Sequence, residues 1–163
     1  ERIFSTIPKS SYVLLAIGEI DCRLDSGIIE HKKKFPEKEE TEVIAKTIEK
    51  YLSYIIKLNL SYKHNIMILG VPCPNIDTAS IPEEKVTQLT DVIARFNSEL
   101  KEKARKNGLY FLDVHKMTDR GDGLSNREWH IDKHHLSPGG FVEAWRRYTE
   151  NHDHRRRSDA FES

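Results

Sequence analysis

An aspartate three residues before a histidine, just ahead of a helix, is a compact way to build a proton-transfer pair. The sequence carries one near its C-terminal end, in Trp129-His130-Ile131-Asp132-Lys133-His134-His135-Leu136-Ser137-Pro138-Gly139-Gly140. A neutral imidazole can take a proton from a hydroxyl nucleophile, and a carboxylate fixes its tautomer and stabilises the imidazolium that forms. The spacing alone is common in turns. Its weight here comes from its place, after the last apolar strand and before a Ser-Pro helix start. Asp132 and His135 are therefore the candidate catalytic residues. A second charged group, Glu19, Asp21 and Arg23, follows an apolar run. It either orients a polar substrate or holds its own loop as an ion-pair network, with Asp21 the better candidate for loop support. Ser26, in Asp25-Ser26-Gly27, is a conceivable hydroxyl nucleophile, although such a triplet is also ordinary turn chemistry. His130, Asp132, His134 and His135 are residue types that bind zinc. The pair already uses two of them and no other ligand cluster is obvious, so neither a metal nor another cofactor is expected.

These residues need a frame that brings them to one edge. Ile3, Phe4 and Ile7 have helical spacing until Pro8 stops it. Tyr12 to Ile17, Ile66 to Val71 and Leu109 to Val114 are continuous apolar runs, which read as buried parallel strands. Glu30 to Glu42 reads as a solvated loop running into a helix whose apolar face is Ile44, Ile48, Tyr51, Leu52, Ile55 and Tyr62. Ser80 and Glu83 fit a capping box, ahead of a stripe of Val86, Leu89, Ile93, Phe96 and Leu100 that Asn107-Gly108 ends. Ser137-Pro138 opens a last helix, with Val142, Trp145 and Tyr148 as its expected buried face. Trp129 and Trp145 are expected in the core rather than as sugar platforms. Alternating strands and amphipathic helices give an α/β fold, flavodoxin-like in layering, with helices on both faces of a parallel sheet. Sites in such sheets lie beyond the C-terminal strand ends. Three segments fall there: Gly18 to Arg23, Val71 to Asn75, and Val114 to His135. Residues 1–150 read as one domain, and the polar, basic 151–163 as a disordered tail.

The string from Trp129 to Gly140 resembles the last conserved block of the SGNH (GDSL-type) hydrolases, with Asp132 and His135 in triad positions. Gly18-Glu19-Ile20-Asp21-Cys22-Arg23 resembles that family's G-x-N-D block in a variant found in carbohydrate-associated members. The likeness runs from about Tyr12 to Tyr148. It implies the SGNH hydrolase fold and a serine esterase or acyl hydrolase acting on an acylated carbohydrate or lipid, with no cofactor. Two departures matter. Nothing before Tyr12 matches the G-D-S nucleophile block or the following glycine block, so the chain reads as lacking the first two strands of the family. Ile20 stands where the family has an oxyanion-donating Asn. Losing one such donor typically costs about 3 to 4 kcal/mol of transition-state stabilisation, unless Arg23 or a backbone N–H replaces it. The rival expectation is a non-catalytic SGNH-like module that binds a glycan or a partner protein.

Composition narrows the remaining classes. Lys+Arg and Asp+Glu are equal at 26 each, so the basic excess usual in nucleic-acid binders is missing. No apolar run approaches the roughly 20 residues of a membrane span. Two cysteines, Cys22 and Cys73, make no disulfide framework. As reduced thiols they favour the cytoplasm. The expected ligand is a small-molecule or glycan ester. Tyr12 to Ile17 is apolar on both faces with no charge or proline to blunt an edge. The strand is expected to pair further, with a second copy or an N-terminal segment.

Overall fold

The computed structural model describes residues 2–159, with side chains described as far as Asn151. Three parallel strands, β1 (Tyr12–Ala16), β2 (Asn65–Leu69) and β3 (Tyr110–Leu112), form one sheet in the order β1-β2-β3. The register places Val13 beside Ile66, Leu15 beside Ile68, and Leu69 beside Leu112. Side chains alternate across a strand, so this register sorts the residues into two faces. Val13, Ile66 and Ile68 join one core with Ile44, Ile48 and Leu52 of α3 (Glu40–Asn59) and Val92, Phe96 and Leu100 of α4 (Glu83–Lys106). Met67, Leu69 and Leu112 join a second core with Val114 and Met117 of α5 (Val114–Thr118), Leu136, and Ala144 of α6 (Pro138–Asp159). The result is three layers, the expected α/β architecture.

Several elements differ from the sequence reading, each for a local reason. The strands are shorter than expected. At β3 the chain turns at Asp113, whose carboxylate accepts from the Lys116 amide at 3.2 Å and starts α5. After a short N-terminal helix, α1 (Arg2–Thr6), and β1, a helix α2 (Gly27–Lys34) occupies the start of the stretch expected as a loop. Only Ile28 and Ile29 anchor it in the core, too few for a visible period. Gly27 has φ +60, and a Cβ there would fall 2.2 Å from the Asp21 carbonyl oxygen, so the turn before α2 requires glycine. The Ser80–Glu83 capping box does not form. Ile81 is extended ahead of Pro82, as residues before proline prefer to be, and α4 starts only at Glu83. The Ser80 hydroxyl donates to the Asp77 carbonyl instead.

Ser137 does cap α6, accepting from the Gly140 amide at 3.1 Å. The helix then faces the sheet through Gly140 and Ala144, with Tyr148 half-buried on the same stripe, rather than through the expected Val142 and Trp145. Val142 is 69% exposed and Trp145 is exposed as well. Gly140 favours this face: a Cβ there would sit 3.0 Å from the Trp129 carbonyl oxygen, tighter than side chains usually pack, so glycine eases the approach. Trp129 is half-buried against the second core. Among the described residues β1 pairs with β2 alone, and Tyr12 and Leu14 of β1 are exposed. No helix among them is long and apolar enough to cross a membrane. The tail expected at 151–163 falls on residues whose side chains, and from 160 also the backbone, lie outside those described.

Candidate active site

The segment that carries Asp132 and His135 is a tight hairpin tip. His130 and Leu136 form an antiparallel bridge, the Ile131 amide donates to the His135 carbonyl at 3.0 Å, and the Ser137 amide donates to the Trp129 carbonyl at 2.7 Å. Asp132 closes the tip. Its Oδ1 accepts from the His134 and His135 amides, both at 2.7 Å, and its Oδ2 accepts from His135 Nδ1 at 2.8 Å. The His134 amide, then the His135 ring and amide, hold this carboxylate well below the usual carboxylate range. With Nδ1–H given to Asp132, a neutral His135 ring carries its lone pair on Nε2. Both side chains are about half exposed, so a substrate can reach them.

The tip is held from two other strand ends. Asn75, in the loop after β2, donates through its amide to the Lys133 carbonyl at 3.1 Å and through Nδ2 to the Asp132 carbonyl at 3.0 Å. Glu19, after β1, takes a bidentate contact from Arg23 (2.7 Å from Nε and from Nη2) and lies 3.2 Å from His134 Nδ1. Burial pushes His134 down in pKa, while the Glu19 charge pulls the other way. Glu19 therefore links the loop after β1 to the hairpin that holds the Asp–His pair. The loop after β2 is itself anchored by Asn97 of α4, which bonds both the amide and the carbonyl of Val71. The sequence reading missed Asn75, Asn97 and the His134–Glu19 contact. Only the rigid Val71-Pro72-Cys73-Pro74-Asn75 string hinted at the first.

The other candidates separate. Asp21 points away from this cluster and accepts from the Tyr51 hydroxyl of α3 at 2.6 Å. Burial, then that bond to Asp21, pushes the Tyr51 phenol up to about 12. Asp21 thus ties its turn to α3. Arg23 commits two of its three guanidinium nitrogens to Glu19. Ile20 is 62% exposed and presents an aliphatic side chain. The Ser26 hydroxyl donates to the Ile20 carbonyl at 3.1 Å, not to an imidazole. Ser125 is buried and paired with His130 Nδ1 at 2.9 Å. Cys22 and Cys73 are free, buried thiols. Among the described residues no group of three His, Cys, Asp or Glu side chains is placed to hold a metal ion.

No protein-family model matches the sequence, and no curated protein matches it. Among solved structures, the chain is similar to the crystal structure of phospholipase A1 from Streptomyces albidoflavus NA297, with a TM-score of 0.50 and 16% identity over 88% of this chain and 70% of that chain. The likeness is one of fold, an α/β arrangement with helices on both faces of a parallel sheet. At that identity the likeness speaks for the layering of helices and sheet, and the G-E-I-D-C-R variant is not part of what it carries.

Proposed function

We propose that this domain carries the histidine–aspartate half of a serine ester hydrolase. In this reading His135 Nε2 accepts the proton of an attacking serine hydroxyl and later gives it to the leaving alcohol. Asp132 fixes the tautomer and stabilises the imidazolium. The observation that carries the reading is the 2.8 Å contact from His135 Nδ1 to an Asp132 carboxylate whose other oxygen is fixed by two amides. The α/β layering supports it, and so does the likeness to a phospholipase A1 structure. The substrate class is an acylated carbohydrate or lipid. None of the hydroxyls of Ser26, Ser125 and Ser137 is paired with His135: they bond the Ile20 carbonyl, His130 Nδ1 and the Gly140 amide.

Those engaged serines, together with the exposed Ile20, favour a second reading: a non-catalytic SGNH-like module that binds a glycan or a partner protein. Turnover separates the two. The full gene product is assayed on p-nitrophenyl esters and acetylated sugars, alone and as His135→Ala. Turnover that disappears in the variant supports the hydrolase. A full gene product with no turnover and no labelling by a serine-reactive phosphonate supports the binding module. Residues 1–163 on their own are expected to stay unlabelled in either case, and stoichiometric labelling at Ser26 would reinstate that residue as the nucleophile.

A further inference from the structure

A cavity of about 220 Å³ opens beside the hairpin tip. Its walls are apolar: Leu24, Val71, Ile76, Ile81, Leu89 and Ile93. Its charged and titratable lining is Glu19, Arg23, Asp25, Lys133 and His134, with Glu19 and Arg23 paired to each other. Neither Asp132 nor His135 lines it. Lys133 and His134, the two residues between them, do, so the cavity and the Asp–His pair share one short turn. Lys133 has no ion-pair partner among the described residues. An apolar pocket with a few polar groups at one end is the usual shape of a small-molecule site. The Glu19–Arg23–His134 contacts and the Asn75 clamp hold its two sides apart without filling it.

We propose that this cavity is an acyl-chain site. The alkyl part of a short acyl group enters between Ile81, Leu89 and Ile93, and its polar head stays at the mouth beside Lys133 and His134. This rests on the ester-hydrolase reading for its biological use, but not for its test. Size sets the class. At about 30 Å³ per water-sized group, the volume holds roughly seven such groups, which suits acyl chains of about four to eight carbons. A longer chain would leave its end in solvent.

The test is binding, not turnover. Straight-chain carboxylates from acetate to dodecanoate are titrated into the protein, with isoleucine and leucine methyl resonances as the readout. Affinity should rise about fourfold per methylene up to about eight carbons and then level off. The shifts should centre on Ile76, Ile81, Leu89 and Ile93. Ile81→Trp, which adds bulk at a half-buried wall position, should abolish the gain with chain length. Ile76→Phe is the second variant, and thermal melts establish that each is folded. A flat chain-length profile, or shifts that cluster elsewhere, would overturn the proposal. So would a folded Ile81→Trp that binds octanoate as before. Chain-length-dependent binding without turnover in the full gene product would sink the hydrolase and leave the acyl site standing. Turnover that ignores chain length would do the reverse.

Discussion

Asn97 offers the sharpest test of how the site is held. It sits inside α4, is 5% exposed, and makes three side-chain hydrogen bonds. Oδ1 accepts from the Val71 amide at 2.8 Å, and Nδ2 donates to the carbonyls of Val71 and Ile93, both at 2.9 Å. Val71 is itself buried, just past the end of β2. Asn97→Ala would leave its N–H and C=O without partners. Ile93 keeps its helical bond, so its carbonyl adds little. A buried polar group left unpaired costs about 1 to 3 kcal/mol, and two such groups cost about 2 to 6. Alanine returns roughly 0.5 kcal/mol of helix propensity. The net loss should be about 2 to 5 kcal/mol, or a Tm lowered by roughly 5 to 15 °C in a domain of this size.

Urea unfolding followed by circular dichroism measures that loss, and a melt checks it. Asn97→Asp separates the two bonds. It keeps an acceptor for the Val71 amide but faces the Val71 carbonyl with an oxygen, and should be at least as unstable at neutral pH. If Asn97→Ala lost less than about 1 kcal/mol with an unchanged m-value, Val71 would have another partner. The claim that α4 anchors the loop carrying Asn75 would then fail.

Other expectations follow from the same geometry. Asp132→Asn would offer His135 Nδ1 an amide donor and impose the wrong tautomer. Turnover of p-nitrophenyl acetate by the full gene product should fall about 10⁴-fold, and a loss under tenfold would remove Asp132 from the mechanism. The lowered Asp132 pKa also has a stability signature. Its contribution is fully present above the unfolded value of about 3.9 and is lost as pH falls toward the folded one. Melts from pH 6 to pH 2 should show the wild type losing more stability below about pH 4 than Asp132→Asn does; parallel curves would contradict this. Burial pushes the Cys22 thiol well up and the Cys73 thiol up to about 12, so a disulfide reagent at pH 8 should modify neither until denaturant is added. Leu14→Lys, on the exposed face of an edge strand, should lower concentration-dependent light scattering. An unchanged profile would mean that this edge does not associate.

The two halves of the site differ in how far the sequence reveals them. Asp132 and His135 are three residues apart, so the bonds that join them lie within one turn, and the spacing together with its place between the last strand and the Ser-Pro helix start announces the contact. The three parallel strands were legible as short apolar runs, although only β2 is buried on both faces. α2 was not legible, because two buried isoleucines carry no period. The face of α6 differs from the one that its large apolar residues Val142 and Trp145 suggest. Gly140 and Ala144 set the contact, and small residues at an interface leave a weak hydropathy signal.

What orients the Asp–His pair is non-local. Asn75 reaches Asp132 across 57 positions of sequence, and Glu19 reaches His134 from the loop after β1. No period or spacing connects those residues. They meet because β1 and β2 are parallel neighbours whose C-terminal ends open on the same side. The hairpin that carries Asp132 and His135 follows β3 and folds back over both loops. The division has a physical basis. A five-residue tip can fix the tautomer of its own histidine, since the carboxylate and the ring belong to the same turn. It cannot fix where Nε2 points relative to the rest of the site, because a hairpin tip tied only to itself can rock as a unit. Asn75 holds its backbone on one side and Glu19 its His134 side chain on the other. Substitutions at Asn75 and Glu19 should therefore leave the Asp132–His135 contact intact and change only its direction.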